Sequence, residues 1–307
     1  MRKVAIIDMG TNTFNLLVAV VNGDGTFQII NSSKQPVKLG EGGINQKIIA
    51  PAAYQRGLNA IAEHFRTILL YGATEVYAFA TSATRNAING QQFVDDIFTQ
   101  FGLRVKIIEG DQEAEYIYLG VRQAYRLGSE KALILDIGGG SNELIIANGN
   151  QYFWKRSYDL GISRLLQQFQ PSDPINPNEI KALESHFASC LADLDEAMAI
   201  HKPIKLIGSS GSFDTYRSIL SAEGRIMPNG NPSVEIPMAD YLTLHEKLIG
   251  SSIEERKRIP GMEPVRVEMI GIASLFTNFL IQRFQVKEMV QSSYALKEGA
   301  MWSILNG

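Results

Sequence analysis

The stretch Asp136-Ile-Gly-Gly-Gly-Ser-Asn-Glu143 lies between two short apolar runs, Ala132-Leu-Ile-Leu135 and Leu144-Ile-Ile-Ala147. Such runs on either side of three glycines read as strand, tight turn, strand. The chain uses the pattern twice. Val4-Ala-Ile-Ile-Asp8-Met-Gly10-Thr-Asn-Thr13-Phe-Asn-Leu16 lies without a gap over Ala132-Leu-Ile-Leu-Asp136-Ile-Gly138-Gly-Gly-Ser141-Asn-Glu-Leu144. In both, an apolar run ends in Asp, with Gly two positions later, a hydroxyl five later and Leu eight later. A repeat this long is not a solenoid period. It predicts two like-folded domains whose Asp-x-Gly turns point into a shared cleft, where ligands usually sit.

The elements between the turns repeat as well. The first half reads as strands over 4–7, 14–21 and 27–34, a helix over 51–71 opened by Pro51, and a strand over 75–80. A helix over 91–101 stopped by Gly102, a strand over 104–108 and a helix from Asp111, read as its cap, to about 127 complete it. The second half reads as strands over 132–136, 143–148 and 152–158, helices over 161–169 and 178–201, and a strand over 204–207 entering Gly208-Ser-Ser-Gly211. Helices over about 213–221, 238–249 and 265–284 follow, around a Gly/Pro/Asn-rich excursion at 224–232, then a strand over 288–291 and a closing helix over 296–305. Each half is β-β-β-α-β-α-β-α, with extra helices in the second. The expected class is α/β: domains 1–125 and 126–307, each a mixed five-stranded sheet with helices, facing across a cleft. The last helix is free to pack back on the first domain.

Composition excludes several classes. The 307 residues are 45% hydrophobic with a formal net charge of −3, an ordinary globular balance that argues against sequence-specific or bulk nucleic-acid binding. Cys190 is the single cysteine, so no intramolecular disulfide can form, and with no ligand-spaced partner it reads as a core residue. Asp8, Thr11, Asn12 and Asn15 interrupt the N-terminal apolar run too early for a signal peptide. No run approaches ~18 apolar residues, the length that spans a membrane. A cytoplasmic location without membrane contact is the expectation.

The paired turns carry the chemistry. Gly10, Thr11, Asn12, Thr13 and Gly138, Gly139, Gly140, Ser141 offer amides and hydroxyls to phosphate, while Asp8, Asp136 and Glu143 suit a hard cation, directly or through its retained waters. Glu113 borders the apolar stripe of its helix, formed by Ala114, Ile117, Tyr118, Val121 and Tyr125. Partial desolvation would raise its pKa and suit a general base; its place near the helix N-terminus favours the charged form; a solvated surface glutamate is the plain alternative. Arg85 follows a strand, placed either to clamp phosphate or to lie on the surface. Gly208-Ser-Ser-Gly-Ser212 enters a helix and could take a phosphate or a nucleotide edge through Gly208, Ser209 and Gly211. Arg256-Lys-Arg258 reads as a solvated basic loop, and His64, His186, His201 and His245 as structural.

Taken together, Asp8-Met-Gly-Thr-Asn-Thr, Thr81-Ser-Ala-Thr-Arg-Asn-Ala, Gly110-Asp-Gln-Glu-Ala, Tyr118-Leu-Gly-Val, Asp136-Ile-Gly-Gly-Gly-Ser-Asn-Glu and Gly208-Ser-Ser-Gly-Ser resemble the exopolyphosphatase/guanosine pentaphosphate phosphohydrolase family, as does the tail Pro260-Gly-Met, Arg266-Val-Glu and Lys297-Glu-Gly. That family belongs to the actin/sugar-kinase/heat-shock ATPase superfamily. The resemblance covers nearly the whole chain. It implies two ribonuclease-H-like domains and Mg²⁺-dependent release of terminal orthophosphate, with Mn²⁺ as an alternative ion. By motif, Glu113 matches the catalytic glutamate, Asp136 and Glu143 the Mg²⁺-associated carboxylates with Asp8 as a third, and Asn12, Arg85, Gly139, Gly140 and Ser141 phosphate-contacting positions. The motif around Glu113 departs from the family pattern at Gln112, for Glu, and Glu115, for Arg, which lowers local positive potential. The longer members carry a further C-terminal helical domain, and this chain ends at Gly307.

The leading expectation is a phosphoanhydride hydrolase acting on inorganic polyphosphate from its end, with Arg85 and Glu113 catalytic. The alternative substrate is guanosine pentaphosphate at the same site. A superfamily kinase or ATPase would use residues 208–212 for adenosine, and a non-catalytic phosphate sensor would bind without turnover. A homodimer is compatible with the resemblance.

Overall fold

The computed structural model describes residues 2–227 and 230–306. Its first sheet is built from β1 (Arg2–Met9), β2 (Thr13–Val21), β3 (Phe27–Pro36), β4 (Glu75–Ala80) and β5 (Val105–Ile107), in the order β3-β2-β1-β4-β5. The first three strands pair antiparallel, and β4 and β5 join in parallel through crossover helices. Helices α1 (Pro51–Tyr71), α2 (Ser82–Arg85), α3 (Gly90–Phe101) and α4 (Gly110–Ala124) lie among these strands in sequence. Pro51 opens α1, and Gly72 closes it in the left-handed region at φ 66°.

The second half repeats this plan with β6 (Ala132–Ile137), β7 (Asn142–Ala147), β8 (Tyr152–Tyr158), β9 (Lys205–Ser209), β10 (Ser233–Ile236) and β11 (Glu288–Ser292), ordered β10-β11-β9-β6-β7-β8. Its helices are α5 (Ile162–Phe169), α6 (Pro177–Cys190), α7 (Ala192–His201), α8 (Ser210–Ala222), α9 (Met238–Gly250), α10 (Ile253–Arg256), α11 (Ile270–Phe284) and α12 (Leu296–Asn306). The two-sheet α/β fold is as expected, but the second sheet has six strands rather than five. The addition is β10, an antiparallel edge strand of four residues directly after the Gly/Pro/Asn-rich excursion. Pro228 and Asn229 of that excursion, and Gly307, lie outside the described residues.

Four local expectations are corrected. The helix over 178–201 is two helices that meet at Leu191. Glu109, not Asp111, is the N-cap residue of α4, which ends at Ala124. Arg256 is buried, its Nη2 donating to Asp173 Oδ1 at 2.7 Å, so the basic loop is partly a structural clamp. Cys190 is half-buried, with Sγ 3.9 Å from His186 Nε2 one helical turn earlier.

Strand parity decides where the site forms. Side chains alternate across a strand. On β1, Ala5, Ile7 and Met9 pack on one face of the sheet with residues of α1 and α3, while Val4 and Ile6 face the other way. On β6, Leu133 and Leu135 join the core under α5–α9 and α11, while Ala132 and Ile134 face the opposite way. The inward sets of both sheets share one apolar cluster with Ala114, Ile117, Tyr118 and Val121 of α4 and Leu296, Ala300 and Met301 of α12. The molecule is therefore five layers: helices, sheet, the α4–α12 pair, sheet, helices. Asp8 and Asp136 share the parity of Val4, Ile6, Ala132 and Ile134, and Glu143 that of Ile145 and Ala147. All three thus turn toward the central layer that carries Glu113.

Helices α4 and α12 reach contact because glycines stand where they cross. A Cβ on Gly120 would come within 2.0 Å of the Ala295 carbonyl oxygen, and one on Gly299 within 1.7 Å of the Tyr116 carbonyl oxygen. The closing helix is thereby tied to α4 and, on its other side, to β1 and β2. Gly299→Ala is expected to force the pair apart at a cost of about 1–3 kcal/mol, seen as a Tm lowered by several degrees in a thermal melt. It should also weaken activity, because the first turn of α12 borders the site.

Candidate active site

The two turns are the same structure. Gly10 N–H donates to the Thr13 carbonyl at 3.1 Å, and Gly138 N–H donates to the Ser141 carbonyl at 3.1 Å. Register pairs Asp8 with Asn15 in one hairpin and Asp136 with Glu143 in the other. Around the second turn, Ile162 N–H donates to Gly138 O, Ser163 N–H to Gly139 O, and Arg164 Nε to Gly140 O. The N-terminus of α5 thus satisfies its free donors on the turn's carbonyls. In a trans peptide the C=O and the following N–H point in opposite directions. The amides of Gly139, Gly140 and Ser141 are therefore turned away from α5, toward the cavity that these residues line. The first turn is held likewise: Val37 and Lys38 N–H donate to Asn12 O, and Gly40 N–H donates to Thr11 O.

Between the turns lies a cavity of about 130 Å³. Asp8, residues 10–13, Glu113, Asp136, residues 138–141, Glu143, Gly211 and Ser210 border it, with Asp214, Lys34, Arg266 and Lys297 on its wall. Each predicted carboxylate is buried or nearly so and held by a donor. Asn15 Nδ2 donates to Asp8 Oδ2 at 2.9 Å, Ser157 Oγ to Glu143 Oε1 at 2.7 Å, and Ser209 and Ser210 Oγ to Asp136 Oδ2 at 2.9 and 2.6 Å. Arg85 Nη1 donates to Glu113 Oε2 at 3.0 Å and to Ile108 O at 2.8 Å.

Burial sets the electrostatics. It pushes Glu113 up to about 7, against the pull of the Arg85 charge and with help from Asp8 and Asp136. Desolvation therefore outweighs the Arg85 guanidinium. Asp8 rises to about 6 for the same reason, held back by Asn15 and Lys297. Glu143 is raised well above the ordinary carboxylate value by burial and then by Glu113 and Asp136. Asp136 is raised by burial against its two seryl hydroxyls. On Lys297, burial acts to lower the pKa, but Glu298, Asp8 and Asp214 outweigh it and hold the ammonium above its usual value.

Several expected phosphate contacts are corrected by geometry. Arg85 stands behind Glu113 and is not among the residues that border the cavity; its Nη1 donates to Glu113 and Ile108. Gly208 lies inside β9, where a Cβ would come within 2.0 Å of the Phe213 ring, so its smallness serves packing. Ser209 is fully buried and spends its hydroxyl on Asp136. Gly211 makes room for Arg266, whose Nη2 would lie 2.0 Å from a Cβ there. Asn12 borders the cavity, but its side chain accepts from Ser163 Oγ at 2.7 Å and donates to Met269 Sδ at 3.0 Å. Gly139 and Gly140 are needed for close approach as well. A Cβ would meet Asn12 Nδ2 at 2.4 Å or the Thr11 and Ser82 hydroxyls at 2.6 Å.

Sequence reasoning missed Ser82, Ser210, Asp214 and Lys34 as cavity residues, and placed Arg266 and Lys297 only in a tail motif. Ser82 is buried, borders the cavity and has a hydroxyl without a partner among the described residues; it stands two residues after β4, and Ser210 directly after β9. Arg266 is buried, and its Nε has no partner among the described residues. Ser82 and Ser210 lie within two of the motifs quoted above and were passed over for their neighbours, whereas nothing in the local pattern marked Lys34 and Asp214, which reach the cavity through tertiary packing.

The donor set suits a hard cation. Five carboxylates border the cavity against Lys34, Arg266 and Lys297, and Arg85 behind Glu113 leaves the acids in excess. All offer oxygen, the ligand of Mg²⁺ rather than of softer metals. Among the described residues, however, no three of His, Cys, Asp and Glu gather into a closed ligand group. The expected trio of Asp8, Asp136 and Glu143 is thus not a ready-made cage, and an ion here would take part of its shell from water and phosphate oxygens.

Raised carboxylates have a consequence for stability. The unfolded chain releases the Glu113 proton near 4.5, whereas the folded protein holds it to about 7. The native state therefore binds more protons between these values, so the penalty is absent below 4.5 and grows as pH rises to about 7. Glu143, raised by the same burial, behaves alike. Glu143→Gln, which can still accept from Ser157, is expected to raise Tm at pH 8 in the presence of a chelator, by roughly 2–4 °C for each kcal/mol relieved. The gain should shrink toward pH 5; an equal gain at both pH values would contradict this origin.

Comparison with known proteins places the chain. The sequence pattern described as the Ppx/GppA phosphatase family matches residues 17–307. A Haemophilus influenzae protein named as a candidate exopolyphosphatase is 29% identical over 306 residues, covering 99% of this chain and 91% of the relative. The crystal structure of an exopolyphosphatase from Cytophaga hutchinsonii superposes with a TM-score of 0.95 at 32% identity, covering 100% of this chain and 98% of that one. The Ppx/GppA family member from Aquifex aeolicus, at 23% identity, shares the fold with a TM-score of 0.79, covering 99% of this chain and 97% of that one. With two like-built sheets, paired Asp-x-Gly turns and a match that spans nearly every residue, this chain belongs to the Ppx/GppA phosphatase family.

Proposed function

We propose that this protein releases terminal orthophosphate from inorganic polyphosphate by attack of water on the end phosphorus. The observation that carries the reading is the placement of a buried Glu113, raised to about 7, across one cavity from two turns whose amides face inward. Arg85 holds Glu113 through Oε2, which leaves Oε1 to orient a water and accept its proton. The turn amides, with Arg266 and Lys297 on the wall, meet the oxygens of the phosphoryl group as charge develops. Asp136 and Glu143 are the residues that would hold Mg²⁺, or Mn²⁺ in its place, with Asp8 beside them. Such an ion, when bound, supplies charge neutralisation on the phosphate oxygens. The names of the relatives support polyphosphate as substrate.

The same site chemistry fits the terminal phosphate of guanosine pentaphosphate, which differs only beyond the first phosphates. The kinase reading is less well supported. Within residues 208–212, which it needs for adenosine, Gly208 packs on Phe213, Ser209 and Ser210 donate to Asp136, and Gly211 lies against Arg266.

Glu113→Gln is expected to lower kcat by about 10²–10⁴, with a folded protein in circular dichroism; turnover at the wild-type rate would sink the assignment. Orthophosphate release with Mg²⁺ should be measured in parallel from short polyphosphate, long polyphosphate and guanosine pentaphosphate, with ATP as control. Release chiefly from polyphosphate is expected, falling to background in excess chelator; release chiefly from the nucleotide would move the substrate to the alarmone.

A further inference from the structure

We propose that Ser210 is a positioning residue that fixes the Asp136 carboxylate for a divalent cation, an inference that rests on the cation reading above. Strand β9 ends at Ser209 and helix α8 begins at Ser210, with no loop between them. So abrupt a junction puts Ser210 in the left-handed region, at φ 68°. A residue with a Cβ is strained there, and glycine is not. Glycines stand close by at 208 and 211, yet both sit at ordinary φ and are used for close approach, one to the Phe213 ring and one to the Arg266 guanidinium. The single position in Gly208-Ser-Ser-Gly211 where backbone conformation favours glycine holds serine instead.

What the serine adds is its hydroxyl. Ser210 Oγ donates to Asp136 Oδ2 at 2.6 Å, the shorter of the two hydrogen bonds on that oxygen, and Ser210 borders the cavity. With both hydroxyls on Oδ2, the carboxylate is held in one rotation, and among the described residues Oδ1 has no side-chain donor. Outer partners of this kind orient metal-binding side chains and tune their affinity. Backbone strain retained at such a site is expected where the strained residue supplies something that the relaxed one cannot.

The test is a pair of variants. Ser210→Gly removes the hydroxyl and the strain together; Ser210→Ala removes the hydroxyl and keeps the strain. Mn²⁺ alone is titrated calorimetrically into metal-free protein, and Tm of the same preparations is measured without metal. Both variants should bind Mn²⁺ about tenfold more weakly than wild type, while Ser210→Gly, which alone relieves the strain, should melt higher than Ser210→Ala. A merely structural role would instead make affinity follow Tm from one variant to the other. Wild-type affinity in Ser210→Gly would overturn the inference, as would an affinity that recovers in Ser210→Gly in step with its Tm. A wild-type protein that binds no Mn²⁺ would instead overturn the cation reading, and this inference with it.

Discussion

Removing carboxylates from water is the costly act on which this structure turns. Asp8, Glu113, Asp136 and Glu143 border one cavity, and desolvation is the largest influence on each of them. A cluster of this kind persists only if something holds every carboxylate in place. Asn15, Arg85, the Ser209–Ser210 pair and Ser157 do so, one set of donors for each acid. Much of the local sequence that looks like a phosphate loop is thus a support for acids. That is the reason why Arg85 and Ser209, which read as substrate contacts, stand one layer back.

The five-layer architecture makes this burial possible. Helices α4 and α12 lie between the sheets and supply the apolar packing that brings both Asp-x-Gly turns to the same point. Their approach depends on Gly120 and Gly299, and the end of the chain consequently delivers Lys297, with Ser293, Ala295 and Leu296, to a cavity whose other members come from residues 8–143 and 210–266. The Gly-rich turn is positioned by α5, which takes its carbonyls and so aims its amides. Glycines at 139 and 140 then let the opposite turn close on it. Backbone amides, cations and oriented carboxylates reach a single small volume by these separate routes, a combination suited to a phosphate group that develops charge as it is transferred.

Much of this was legible in the sequence. The gapless match between residues 4–16 and 132–144 carried the two-sheet plan, because identical hairpins need identical apolar parity, Asp and turn geometry. The same parity sends Asp8, Asp136 and Glu143 to one side of their strands, and the edge position of Glu113 on its apolar stripe anticipated burial. What stayed hidden has physical reasons. Strand β10 is four residues long and follows a turn-rich stretch, too short for periodicity to show. Arg256 reads as a surface cation because its partner Asp173 is distant in sequence. Gly208 and Gly211 resemble a ligand cradle because a glycine needed for a phosphate and one needed for a phenyl ring or a guanidinium look alike in a single chain.

The sequence by itself determined the repeat, the strand faces and the residue types at the turns, since all three follow from local periodicity and from conformations that few residues adopt. Only the tertiary structure decided which donors serve substrate and which serve carboxylates, and which term governs Glu113. Desolvation depends on everything packed around a group, and the layer that buries Glu113 is assembled from both sheets and from the last helix of the chain.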